Sequence, residues 1–137
     1  VLAKDEDTGT LKNFALDRMS EVRMTQKSFV LPDDFDAREY YKGYLGVYHD
    51  QTKVETVRLK VWWKQRDYFR TLPLNETMRE TEVYDEWSIF ECELAPTWEV
   101  EMELLQYNDW VEVLAPEELR NNMIEHAGNI LNLYKNS

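Results

Sequence analysis

The stretch "TVRLKVWW", residues 56–63, sets apolar and β-branched side chains at every second position and runs directly into "KQRDYFRTL", residues 64–72. There the spacing becomes helical, until Pro73 ends it. A strand that passes into a helix marks the start of a small α/β unit. The following residues extend it. "RETEVYDEWSIFECEL", residues 79–94, reads as two strands around a turn near Asp85-Glu86, with Phe90, Cys92 and Leu94 on the inner face. "WVEVL", residues 110–114, is a further strand. "APEELRNNMIEHAGNILNLY" is a final helix, with Pro116, Glu117 and Glu118 in its first turn. Its apolar stripe is Leu119, Met123, Ala127, Ile130 and Tyr134.

One segment carries two signals. In "TWEVEMELLQY", residues 97–107, Trp98, Val100, Met102 and Leu104 alternate with glutamates, as in a strand. Thr97 is a good N-cap, three glutamates suit the positive end of a helix dipole, and Leu104-Leu105 breaks the alternation. Asn108 suits the left-handed residue that closes a helix. The pattern alone leaves strand and helix open. If the segment is helical, residues 55–114 have the order β-α-β-β-α-β, the ferredoxin-like order, with a helix added at the end.

The front of the chain is of another kind. Val1-Leu2-Ala3 meets the Asp-rich turn "KDEDTG", after which apolar alternation resumes. Residues 1–4 and 10–24 are expected to be the arms of a hairpin. Phe14, Leu16, Arg18 and Ser20 then share one strand face, and Ala15, Asp17 and Met19 the other. Two strands are marginal in water by themselves, so residues 1–28 read as the edge of a larger β domain extending upstream. Residues 29–54 read as a linker, with a short helix capped by Asp33 or Asp34 and running to about Tyr44. Tyr40, Tyr41, Tyr44 and Tyr48 cluster there, a set that packs a linker onto its neighbour or stacks on a base. Residues 55–137 form the α/β unit.

The chain has 137 residues, 43% of them apolar, enough for a core without staples. Its net charge is −11, and it has no basic run of the kind that grips duplex phosphates. Cys92 is the only cysteine, which excludes an internal disulfide and a cysteine-rich zinc site. No apolar run is long enough to span a bilayer, and "VLAKDEDTGT" lacks the apolar core of a signal peptide. A cytoplasmic setting is expected.

Catalytic signals are weak. His49 stands beside Asp50 in an expected loop, and His126 lies in the final helix, neither with metal-ligand spacing. The four glycines are scattered, so no phosphate loop exists. The chain reads as a non-enzyme with no cofactor and no metal. Trp62-Trp63 is a possible stacking platform, although neighbouring strand residues face opposite sides. Arg18 is the sharpest binding candidate, because a guanidinium is a rigid fork for phosphate or carboxylate; the plainer reading pairs it with a nearby acid. Arg23 and Lys12 lie on the same hairpin.

Three stretches resemble the C-terminal half of WYL-domain transcriptional regulators. Val1-Leu2-Ala3, the acidic turn and Phe14-Ala15-Leu16-Asp17-Arg18-Met19 are similar to the tail of that family's Trp-Tyr-Leu strand and its Phe-x-Leu-Asp-Arg-Ile/Met strand. Phe29, Pro32, Phe35 and Asp36 match the connector, and residues 111–120 match its Val-Glu-Val-Leu-x-Pro-Glu-Glu-Leu-Arg pattern. Asn108 stands where the family often has Gly. The resemblance implies an Sm-like barrel remnant in residues 1–28, a ferredoxin-like extension in residues 55–137, and the helical reading of residues 97–107. It also implies that Arg18 contacts a nucleic-acid or small-molecule effector, that promoter DNA is bound only through an upstream helix-turn-helix, and that the intact regulator is a homodimer. The rival expectation is an acidic ferredoxin-like module that joins proteins and has no ligand of its own.

Overall fold

Along β3 (Glu55–Trp62), Val57, Leu59 and Val61 are fully buried, while Arg58, Lys60 and Trp62 alternate with them on the other face. Each buried aliphatic side chain contributes about 1.5–3 kcal/mol, so this strand anchors the domain. The computed structural model describes residues 1–30, 32–46, 49 and 52–136. The chain forms two units, Val1–Lys42 and Gly43–Ser137.

In the larger unit β3 leads into α2 (Trp63–Thr71), followed by β4 (Arg79–Val83), β5 (Trp87–Leu94), α3 (Trp98–Leu105), β6 (Val111–Ala115) and α4 (Glu117–Lys135). The sheet order is β4-β5-β3-β6, with every neighbouring pair antiparallel. The register sets Val57 opposite Cys92, Leu59 opposite Phe90 and Val61 opposite Ser88, all buried on one face. Phe69 of α2 closes over that face, its ring 5.6 Å from Phe90 and 4.9 Å from Tyr107. Arg70 of α2 grips Glu80 of β4 with two hydrogen bonds, at 3.0 and 2.8 Å.

The ambiguous segment is helical. Val100 and Leu104, one turn apart, are buried, and Glu101 is nearly so. Trp98, which a strand would have turned inward with them, is 64% exposed. Thr97 occupies the N-cap position, but its hydroxyl makes no capping bond; its carbonyl accepts from the amides of Val100 and Glu101. Asn108 has a positive φ of 54°, a conformation that Asn tolerates better than most residues.

The smaller unit departs from its expected form. β1 (Leu2–Lys4) and β2 (Leu11–Asn13) form an antiparallel hairpin, with Ala3 opposite Lys12. The Asp5 carboxylate accepts from Lys12 Nζ at 2.5 Å and from the amides of Asp7 and Thr8 at 2.9 Å. The Lys12 bond, followed by the Thr8 amide, holds this carboxyl well below its usual range. The second arm ends at Asn13 instead of continuing to residue 24. Leu16–Arg18 is a 3-10 turn. β1 offers only three residues as a ladder partner, and a strand with no partner cannot satisfy its backbone groups in pairs. The expected division of residues 14–20 between two strand faces therefore does not hold.

The short helix α1 (Ala37–Tyr40) is capped by Asp36, whose carboxylate accepts from the Arg38 amide at 2.7 Å. Asp33 and Asp34 lie too far upstream to cap it, and it ends at Tyr40, short of Tyr44. Gly43 then takes φ +78°, with Val54 so close that a Cβ would meet it at 2.6 Å.

Candidate functional site

Arg18 lies in the 3-10 turn and is exposed. Its neighbours in charge are engaged: Lys12 pairs with Asp5 at 2.5 Å and Arg23 with Glu21 at 3.7 Å. Among the described residues no carboxylate comes within 4.0 Å of the Arg18 guanidinium, so the ion pair that was its plainer explanation is not formed. Asp17 stands beside it in the same exposed turn. Of the tyrosine cluster, Tyr41 donates to Asn13, and Tyr44 donates to the Thr52 carbonyl at 2.5 Å and stacks on His49 at 4.1 Å. Tyr48 and Asp50 lie outside the described residues.

The two adjacent tryptophans belong to different elements. Trp62 ends β3, and Trp63 opens α2 with its amide bonded to the Glu86 carbonyl at 2.8 Å. Trp62 lies opposite Trp87 in the sheet, and Lys60 Nζ sits 4.6 Å from one ring and 4.7 Å from the other. Lys64 stands 4.1 Å over Trp110. The chain's own lysines thus take these ring faces by cation–π attraction.

Cys92 is buried under the sheet, which pushes its thiol up to about 12. His126 sits 3.0 Å from the Glu101 carboxylate, and Asn122 donates to its other oxygen at 2.7 Å. This trio ties α4 to α3. Among the described residues no three His, Cys, Asp or Glu side chains converge as a metal site. Among them also, no helix is long and apolar enough to cross a membrane.

An apolar groove of about 690 Å³ runs along α4. Val111 and Val113 of β6, Trp62 and Leu105 line one side; Met123, Ile124, Ala127, Ile130, Leu131 and Tyr134 line the other. β6 is the edge of its sheet. Of the expected helix stripe, Leu119 is buried and Met123 half-buried, but Ala127, Ile130 and Tyr134 are exposed along the open groove. Sequence reasoning found that stripe but not the groove it borders. The available signal was a second spacing, Ile124, Ala127, Leu131 and Tyr134, on the same helix.

The fold that carries this groove is a mixed α/β domain built on a four-stranded antiparallel sheet with a long C-terminal helix. The family described as the WCX domain matches residues 53–131, which is more than half of the chain. The chain belongs to the WCX-domain family, and the matched part is a C-terminal region of the WYL-regulator kind. Among solved structures it is similar to proteasome accessory factor B/C (PafBC) of Arthrobacter aurescens, at 21% identity and a TM-score of 0.42. That match covers 90% of this chain and 18% of the other, so the chain spans less than a fifth of that protein's length. No curated protein matches it.

Proposed function

We propose that the chain is the C-terminal regulatory part of a WYL-type, DNA-binding transcriptional regulator. The WCX match over residues 53–131 carries this reading. In it, residues 1–28 are the last strands of an Sm-like WYL barrel and the larger unit is a ferredoxin-like extension. The element order β-α-β-β-α-β and the sheet order β4-β5-β3-β6 support the ferredoxin-like assignment. Promoter contact belongs to a helix-turn-helix encoded upstream. The intact protein works in the cytoplasm as a homodimer and carries out no catalysis of its own. An effector shifts its balance between two arrangements by binding one more tightly.

Arg18 is the effector contact in this reading. It is an exposed guanidinium with no carboxylate within 4.0 Å among the described residues, while Lys12 and Arg23 nearby in the chain are paired. Such a group is available to a phosphate or carboxylate. The test is a titration of the intact regulator with short single-stranded DNA and with nucleotides, wild type against Arg18→Ala. Binding that is lost in the variant is expected; equal binding by both would remove Arg18 from the site. Reading the gene upstream of Val1 tests the wider claim, which fails if no helix-turn-helix and no Trp-Tyr-Leu strand is encoded there. A second reading, an acidic interaction module with no ligand, is favoured by the apolar groove on α4. A wild type indifferent to every ligand would support it.

A further inference from the structure

The outward side of α3 carries an aromatic and acidic cleft that involves neither Arg18 nor the α4 groove. Trp98 and Met102 stand one turn apart, as do Glu99 and Glu103 beside them, on the side of the helix away from buried Val100 and Leu104. With Leu45 and Gly46 these four line a hollow of about 330 Å³. The Trp98 ring that walls it is 64% exposed. Among the described residues no Lys, Arg or His nitrogen comes within 4.0 Å of Glu99 or Glu103. Like charges four apart on a helix repel each other, and the helix dipole favours Glu99 in the first turn but opposes Glu103 in the last. The Oε2 atom of Glu99 is enclosed and has no hydrogen-bond partner. A carboxylate oxygen shut away from water without a donor is costly, and native structures seldom leave one so.

We propose that this cleft is the docking site for an arginine side chain presented by a partner protein. A guanidinium is a planar cation that lies flat on an indole and gives two N–H groups to one carboxylate. It therefore answers the exposed ring, the missing donor and the unbalanced charge together. The arginine stem is apolar and suits the Trp98 and Met102 walls. Glu103 is held in place because its Oε1 accepts from the Tyr107 hydroxyl at 2.8 Å, and it supplies the second negative charge. Glu99 is only half-buried, so a turn of its side chain brings the orphaned oxygen to an incoming donor. A hollow at the small end of the range for ligand pockets receives one side chain more readily than it engulfs a free ligand. The chain's net charge of −11 draws a basic surface toward it from a distance. Two carboxylates repel phosphate, so this site and the effector contact at Arg18 select opposite charges, and either can fail without the other.

Amide and indole NMR spectra of the 137-residue chain, titrated with the peptide Gly-Gly-Arg-Gly-Gly amide to millimolar concentration, test this. The Trp98 indole N–H, identified by its absence in Trp98→Ala, is expected to shift together with the amides of Gly46, Glu99 and Glu103. The same peptide with citrulline, a neutral isostere of arginine, is expected to shift none of them. Trp98→Ala and Glu99→Gln, read at the Gly46 amide, should each weaken binding by about three- to thirtyfold while the rest of the spectrum keeps its native dispersion. Methylguanidinium, which lacks the apolar stem, should bind about tenfold more weakly than the peptide. No shift at the cleft with the arginine peptide, or an equal shift with the citrulline peptide, would overturn the site. So would folded Trp98→Ala and Glu99→Gln variants that bind as tightly as wild type. Methylguanidinium binding as tightly as the peptide would overturn the protein partner, because the cleft would then be a site for a small free cation.

Discussion

Single residues show where local chemistry decides and where surroundings do. Asn108 was legible in the sequence, because few side chains other than Asn tolerate φ +54° and one was needed after the helix. Cys92 was legible too, as the partner of Phe90 and Leu94 on an inward strand face, and all three are buried. Burial first, and Glu93 second, push its thiol up to about 12. A thiol reagent at pH 8 should therefore find none reactive in the native chain and one in urea. Rapid labelling under native conditions would show that the sheet opens locally. Arg18 was legible as a candidate but not in its setting. Its alternation suggested a strand face, whereas a strand persists only where a neighbouring backbone can bond to it, and β1 is too short.

At the scale of elements, charged pairs lash helices to the sheet. The Arg70–Glu80 fork joins α2 to β4, two elements separated by a loop. Burial raises the Glu80 carboxyl, but the Arg70 hydrogen bonds and charge, with Ser88 and Arg66, together outweigh it, and the net shift is downward. A depressed carboxyl contributes stability that is complete above its unfolded value, about 4.3, and lost as pH falls through the folded one. Thermal midpoints of wild type and Glu80→Gln should thus differ at pH 7 and converge only as pH falls below the depressed folded value. A gap that is constant with pH would mean that the pair contributes by packing alone. The choice of helix for Trp98–Leu105 also belongs to this scale. Its residues satisfy both periods, and what settles it is that Glu101 joins Val100 and Leu104 on the buried face while Trp98 is exposed, a grouping only the helical period allows.

For the molecule as a whole, burial is concentrated in one unit. The buried hydrophobic residues run from Val57 to Leu119, and no described residue of Val1–Lys42 is buried. A chain beginning at Gly43 should therefore fold alone, with a single cooperative urea transition and a midpoint close to that of the full chain. A large drop in the midpoint would assign the smaller unit a share of the stability.

The sequence by itself determined the mixed α and β content, the elements from β3 to α4 other than α3, the inward faces of β3 and β5 and the family resemblance. Each follows from periodicity or from motifs local to a few residues. Only the tertiary structure decided that β2 stops at Asn13, that Trp62 and Trp63 part company at a strand–helix junction, that Trp98–Leu105 is a helix, and that the far half of α4 is left exposed. These depend on what lies across from a segment, and periodicity along a chain records which residues share a face but not whether anything is there to cover it.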